Sequence, residues 1–366
     1  MSSYIIGSGV YLPEDTISNH ELVTAFNAYV ESKRASGSNR PLEPSSAEFI
    51  QNASGIKQRH VLSKSGVLDP ETMTPILPER ENDELSIQAE FGTKSVRRAL
   101  NDANLSPDKL DMLICSCAQH QRPYPAISIE IQQDIGFQGA AFDMNVACSS
   151  TTFGLFLASD MVENGSSQTA AVCSPEIMSG HLNFKCRATH FIFGDASATI
   201  IVSREIPDGI DTPVFEIVAK KVWTSFSSNI RSNFGFLNRT HPDTMFASDK
   251  LVTQQGRAVF KDITAKAADF IRDFVEENNV SLGEIERFWL HQANIKMLKA
   301  IVQRLLNKDM GIETPTILQD LGNVASPGSL IAFHRTRSQV SVGEYGLICS
   351  FGAGYSIGGF LVRRVR

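Results

Sequence analysis

Several features that would place this chain quickly are missing. No run of about 18 apolar residues occurs, so no membrane-spanning helix is expected. The first residues, Met1-Ser-Ser-Tyr-Ile-Ile-Gly-Ser-Gly, lack the basic start and apolar stretch of a secretory signal. The six cysteines (Cys115, Cys117, Cys148, Cys173, Cys186 and Cys349) include no C-x-x-C pair, which removes zinc-ribbon and thioredoxin-type readings. Scattered thiols without a signal fit a reducing cytoplasm. Basic excess is absent too: 34 Lys and Arg against 40 Asp and Glu leave a net charge of −6, unlike a general nucleic-acid binder. Gly7-Ser-Gly9 lacks the third glycine of a dinucleotide fingerprint, and no Lys-Ser/Thr follows Gly352-Ala353-Gly354 to make a phosphate loop. His181 and His190 stand nine residues apart with no tight His/Asp/Glu cluster, so no metal is expected.

What is present is an ordinary globular composition, 42% hydrophobic over 366 residues, enough for a large core. At roughly 150 residues per domain the length favours two domains. Short apolar runs alternate with helix-like segments. Tyr4–Val10, Asp111–Cys117, Ala141–Val146, Thr169–Cys173 and Ala198–Val202 read as strands. Asn82–Ala103, Tyr124–Gly136 and Thr151–Val162 read as helices. After residue 208 the pattern restarts, with helices over Phe260–Asn278 and Ile295–Leu306 and strands at Arg287–Leu290, Tyr345–Ser350 and Ile357–Val362. Such alternation predicts an α/β fold with helices covering largely parallel sheets, divided into halves 1–208 and 209–366. Glu31–Ser46 and Lys64–Glu84 are polar and proline-bearing, and read as inserted loops.

Four local features offer chemistry. Cys148, in Asp143-Met-Asn-Val-Ala-Cys148-Ser-Ser, stands where an apolar strand gives way to a helix. A helix N-terminus favours the thiolate, the nucleophilic form, although an inert core thiol fits the same position. His291, in His291-Gln-Ala-Asn294, ends a strand and precedes a helix; alone it is compatible with a structural role. Gly322-Asn323-Val-Ala-Ser-Pro-Gly opens onto another helix and reads equally as a turn. Ser350-Phe-Gly352-Ala353-Gly354 is a small-residue loop that brings backbone N–H groups close to a ligand oxygen, or simply turns the chain.

Taken together, these motifs resemble the 3-oxoacyl-(acyl carrier protein) synthase III family of the thiolase superfamily. Ser54-Gly-Ile-Lys-Gln-Arg-His60 and Phe191-Ile-Phe-Gly-Asp195 belong to the likeness, and the wording around Cys148 is similar to a branch primed by medium-chain acyl-CoA. The resemblance implies a five-layered α-β-α-β-α fold and a decarboxylative Claisen condensation of an acyl-CoA with malonyl-acyl carrier protein. In that scheme Cys148 is the nucleophile, the backbone N–H groups of Cys148 and Ala353 form the oxyanion hole, and His291 and Asn323 hold the enolate. Tyr124 (donated across a homodimer), Phe193 and Asn294 line the substrate pocket; Phe49 and Arg187 contact coenzyme A. Lys296, Lys299 and Arg304 offer the acidic carrier protein a basic patch. Ala53 departs from the family's usual arginine, so the coenzyme contact must differ. The resemblance implies no cofactor. Two alternatives use the same chain: acyl transfer to another acceptor by the same three residues, or a non-catalytic carrier-binding subunit, which would have lost its nucleophile.

Overall fold

A computed structural model describes residues 2–36 and 42–366. In chain order the first half comprises strand β1 (Tyr4–Tyr11), strand β2 (Thr16–Ser18), helices α1 (Asn19–Ala35) and α2 (Ala47–Ser54), β3 (Gln58–His60), α3 (Ile87–Asp102), β4 (Met112–Ser116), α4 (Ile127–Ile135), β5 (Ala140–Met144), α5 (Ser150–Glu163), β6 (Thr169–Glu176) and β7 (Ala196–Ser203). The second comprises β8 (Phe215–Ser227), β9 (Ile230–Arg231), β10 (Thr253–Gln254), α6 (Gly256–Glu277), β11 (Ile285–Leu290), α7 (Ile295–Leu306), the single turn α8 (Leu318–Leu321), α9 (Gly328–Thr336), β12 (Tyr345–Gly352) and β13 (Gly354–Arg364).

Nine strands form one hydrogen-bonded sheet in the order β11-β12-β13-β8-β1-β7-β6-β4-β5. The β11/β12, β4/β5 and β4/β6 pairs are parallel and the others antiparallel. The first-half and second-half strands meet only at β1 and β8, through Tyr4↔Glu216 and Ile5↔Phe215. Helix α5 packs on β4, β6 and β7 and also on β8, β12 and β13; α9 likewise touches β1, β7, β11 and β12. These two helices therefore lie between the halves of the sheet. Helices α3 and α4 cover the outer face of the first half, and α6, with α7 packed on it, covers the second. The result is the thiolase-type α-β-α-β-α stack.

Burial explains the pattern. Strands β4 and β6 are buried along their whole length and read as continuous apolar runs, as parallel strands covered on both faces do. The middle layer is closed by Trp289, Phe333 and Phe215, with ring centroids 4.9 Å (Trp289–Phe333) and 5.2 Å (Phe215–Phe333) apart. Element limits differ from the sequence reading mainly at helix starts. Helix α3 begins at Ile87 because the Ser86 side chain caps it, accepting from the Ala89 N–H, rather than at Asn82. Residues 31–35, read as loop, complete α1, and Ser46 caps α2. Residues 37–41 of that expected insertion lie outside the described residues. Segment 64–84 holds no helix or strand and is anchored by buried Val67 and Met73.

Candidate active site

Cys148 sits in a 3₁₀ turn, Ala147–Ser149, that links the β5 strand region to α5. Ala147 occupies the left-handed region (φ 47°), so the chain reverses sharply just before the cysteine. The surrounding motif residues hold this turn. Ala147 N–H donates to Asn145 Oδ1 (2.9 Å), Val146 N–H donates to Ser150 Oγ (2.8 Å), and Ser150 Oγ donates to the Ala147 carbonyl (2.7 Å). The end of β12 presses against the cysteine: a Cβ on Gly352 would stand 2.6 Å from Cys148 Cβ, so only glycine permits the approach. The backbone N–H groups of Ala353 and of Cys148 itself both face the thiol.

His291 extends the parallel ladder at the end of β11, its N–H donating to the Cys349 carbonyl (2.8 Å). Its ring stands edge-on to Phe351, with centroids 5.2 Å apart. The next residue, Gln292, fixes the turn by donating to the Leu290 carbonyl (2.7 Å) and accepting from Ile317 N–H (3.1 Å). Asn294 caps α7, accepting from Met297 N–H (2.9 Å). Asn323 is bridged through its backbone to Phe193. Its Oδ1 accepts the Ala325 N–H (2.9 Å), which leaves the Nδ2 group as a donor. Gly194, in the Phe191-Ile-Phe-Gly-Asp195 motif, is needed for that bridge, because a Cβ there would meet the Leu321 carbonyl oxygen at 2.2 Å.

Cys148, His291 and Asn323 open into one cavity of about 220 Å³, together with Phe193, Asn294 and Ala53. Its remaining wall is largely apolar, with Phe191, Val259, Phe260, Ile263, Met297 and Phe351. The volume is small beside ordinary small-molecule clefts of roughly 300–1,000 Å³, and suits a slim chain rather than a bulky ring system. Burial controls the electrostatics. His291 is 3% exposed, and desolvation pushes its imidazole down to about 4, so it is neutral at physiological pH; the Ala325 backbone opposes the shift. Its Nδ1 is buried without a hydrogen-bond partner among the described residues. Desolvation pushes the Cys148 thiol up to about 12, reinforced by the charge of Glu176, while the Ala353 and Cys148 backbone N–H groups pull it down. A helix N-terminus favours the thiolate, and burial works against it here. Helix α5 begins two residues later, at Ser150.

The other expected residues divide into a rim and an outer surface. Phe49 and Arg187 do not line the cavity. They pair beside it, the guanidinium 4.3 Å from the ring centroid, next to the lining residues Ala53 and Ala188. Arg187 Nε also donates to the Pro44 carbonyl (2.8 Å). Tyr124 stands apart from the cavity, 81% exposed. Lys296, Lys299 and Arg304 are exposed on α7 and form no ion pair among the described residues. Two contributors escaped the sequence reading. Phe351 walls the cavity and braces His291. Fully buried Glu176 accepts from Ser326 Oγ (2.5 Å) and Ala118 N–H (2.7 Å), tying the Asn323 loop to the end of β6. Its carboxyl is pushed up to about 8 by burial. The signal was there: one acid closing an otherwise uncharged run, Thr169–Glu176.

Residues 142–219 match the family model described as 3-oxoacyl-[acyl-carrier-protein] synthase III, and residues 275–364 match its C-terminal companion. The chain is 45% identical, over 90% of its length and 94% of the other's, to the beta-ketodecanoyl-[acyl-carrier-protein] synthase of Pseudomonas aeruginosa. In fold it is similar to the crystal structure of 3-oxoacyl-[acyl-carrier-protein] synthase III from Aquifex aeolicus (TM-score 0.77, 23% identity, 99% of both chains). The corresponding Pseudomonas aeruginosa structure aligns with a TM-score of 0.78 at 18% identity, over 99% of this chain and 98% of that one. Among the described residues no helix is long and apolar enough to cross a membrane.

Proposed function

Because the chain belongs to the 3-oxoacyl-[acyl-carrier-protein] synthase III family, we propose that it condenses an acyl-CoA primer with malonyl-acyl carrier protein, releasing coenzyme A and carbon dioxide, in fatty acid biosynthesis. The observation that carries this reading is the convergence of one thiol, one neutral imidazole and one carboxamide donor on a narrow apolar cavity. In the first stage Cys148 Sγ bonds to the acyl carbon, the bond from that carbon to the coenzyme A sulfur breaks, and the thiol proton ends on the departing sulfur. The thiol is neutral at rest, and neutral His291 in the same cavity is the group suited to carry that proton. The backbone N–H groups of Cys148 and Ala353 hold the tetrahedral oxyanion. In the second stage the malonyl carboxylate leaves as carbon dioxide, and its bonding electrons become an enolate. His291 Nε2 and Asn323 Nδ2 donate to the enolate oxygen. The carbanion then attacks the acyl-cysteine, and the cysteine sulfur leaves and regains a proton. A neutral imidazole and a carboxamide suit decarboxylation, which needs no strong base, and Phe193 helps keep the site dry.

Substrate roles follow position. Phe49 and Arg187, beside the lining residues Ala53 and Ala188, receive the nucleotide end of coenzyme A, with open space at Ala53 where the family has an arginine. Lys296, Lys299 and Arg304 face solvent beyond Asn294 and dock the acidic carrier protein. Residues 1–208 and 209–366 act as the two halves, the first bringing the nucleophile and the second the donors. The primer is medium-chain, as the likeness to the beta-ketodecanoyl synthase favours. Intact-protein mass spectrometry after incubation with acyl-CoAs of two to twelve carbons tests the proposal. One acyl group should appear on Cys148, most readily from an eight-carbon donor, and adding malonyl-acyl carrier protein should discharge it with release of carbon dioxide. Discharge to another acceptor without carbon dioxide would exclude the condensation.

A further inference from the structure

Outside the cavity, at the C-terminal end of β4, the fold gathers Cys115, Cys117 and His120. Residues two apart on a strand share a face, so both thiols point the same way, and both are fully buried. The chain then turns and brings the imidazole back toward them, so that one ligand atom from each residue lies within 4.8 Å of the others. Among the described residues His120 Nε2 is buried without a hydrogen-bond partner, and Asp143 Oδ2 stands 3.8 Å from it. None of the three residues lines the cavity that holds Cys148.

The turn that carries His120 is held firmly. Gln88 Nε2 donates to the Gln119 carbonyl (2.6 Å) and the Pro175 carbonyl (2.8 Å), and Gln88 Oε1 accepts from Gln121 N–H (2.7 Å). Ala118 is fixed on both sides, its N–H donating to Glu176 Oε1 (2.7 Å) and its carbonyl accepting from Asn145 Nδ2 (2.6 Å). Cys117 Sγ accepts from Gln88 Nε2 (3.4 Å) and donates to the Gln119 carbonyl (3.2 Å), so the unsatisfied atom of the cluster is the buried ring nitrogen, which is unusual for plain core packing, where polar atoms find partners. His120 also lines a second cavity of about 240 Å³, with Gln119, Gln121 and His181, which supplies a path from solvent.

We propose that Cys115, Cys117 and His120 form a binding site for one soft divalent cation, zinc foremost. Two sulfur donors and one imidazole select zinc over calcium or magnesium, which prefer oxygen. Metal–sulfur bonds of about 2.3 Å and metal–nitrogen bonds of about 2.0 Å place tetrahedral ligand atoms about 3.3–3.8 Å apart. The ligand atoms, now within 4.8 Å of one another, would draw in by about 1 Å to reach that size. The fourth position falls to a water or to Asp143, whose two oxygens already accept the Ile127 and Ser128 N–H groups (2.8 Å each) at the start of α4. Bound there, the ion ties β4 to the turn leading toward Tyr124.

The test uses the full chain, freed of metal with a chelator and titrated with Co(II). The expected result is one cobalt per chain with a sulfur-to-cobalt charge-transfer band, displaced by one equivalent of Zn(II). Cys117→Ser should abolish the band, and His120→Gln, a change on a partly exposed turn, should weaken cobalt binding at least tenfold. Cys148→Ser should bind cobalt as the parent chain does. His120→Gln keeps the test decisive if Cys117→Ser does not fold. No band in the parent chain, a band lost in Cys148→Ser, or full affinity in His120→Gln would overturn the proposal.

Discussion

Cys148 is a cysteine whose surroundings pull in opposite directions, and the balance is measurable. Burial pushes its thiol up to about 12, so the thiolate is the minor form at pH 7. Alkylation by iodoacetamide in the free protein should therefore be slow at neutral pH and rise about tenfold per pH unit from 7 to 9. A rate already level at pH 7 would mean that the helix end and the two backbone N–H groups outweigh burial. His291 has the opposite sign: its folded pKa, about 4, lies below the usual 6.5, so it is neutral throughout the range where the carrier protein and coenzyme A are handled. The carbon dioxide-releasing half-reaction should show no limb near pH 6.5. Asn323 separates the two half-reactions. Its Oδ1 is engaged by Ala325 and its Nδ2 is free to donate. Asn323→Ala should leave acylation of Cys148 nearly intact and slow decarboxylation about 10²–10³-fold, the usual cost of one lost oxyanion donor. Equal loss in both half-reactions would assign Asn323 to the loop rather than to the enolate.

Among the elements, the β12–β13 hairpin matters most, because it carries both the glycine against Cys148 and the Ala353 N–H. Gly352→Ala adds a Cβ 2.6 Å from Cys148 Cβ. Relief of that contact costs about 1–3 kcal/mol and moves the Ala353 N–H off the sulfur. The variant should fold with a lowered melting temperature and acylate about 10²-fold more slowly; wild-type acylation would release the hairpin from any part in the oxyanion hole. This hairpin also marks how far the chain could be read unaided. Ser350–Gly354 showed as a small-residue loop, but which side chain it pressed against depends on β12 lying beside the Ala147–Ser149 turn, a contact some 200 residues apart in sequence. Long amphipathic segments were legible: α7 runs over Ile295–Leu306, the limits its spacing predicts. Helix starts shifted: the Ser86 cap set that of α3, while α4 begins at Ile127 rather than Tyr124 and α6 at Gly256 rather than Phe260 without any side-chain cap. The burial that sets the Cys148 thiol and the His291 imidazole could not be read, because it arises from walls contributed by α6, α7 and β12 together. Cys115, Cys117 and His120 escaped for a related reason: their C-x-C-x-x-H spacing is no familiar metal motif, and only the turn clamped by Gln88 brings the ring back to the sulfurs.

At the scale of the whole molecule the sheet is unfinished. Strand β5 is its last strand and, among the described residues, pairs only with β4, so its outer N–H and C=O groups face away from the sheet. The strand is short and carries Asp143, but it contains neither lysine nor proline and begins with the small apolar Ala140 and Ala141, so its edge stays open to pairing. Helix α4, which packs on β5, carries exposed Ile129 (48%), and Tyr124, 81% exposed, lies three residues before that helix. A two-fold axis through β5 would pair the strand antiparallel with its copy, close both edges with one isologous contact, and bury both side chains. It would also carry Tyr124, which stands apart from this chain's own cavity, toward the neighbouring subunit. The chain should therefore sediment as a homodimer at micromolar concentration. Ile129→Asp places a charge at the expected contact without touching the core. It should weaken the dimer at least tenfold and reduce turnover in proportion to the monomer formed, while circular dichroism stays unchanged. A parent chain that sediments as a monomer yet turns over fully would show that Tyr124 has no part in the partner's pocket and that β5 is covered in some other way.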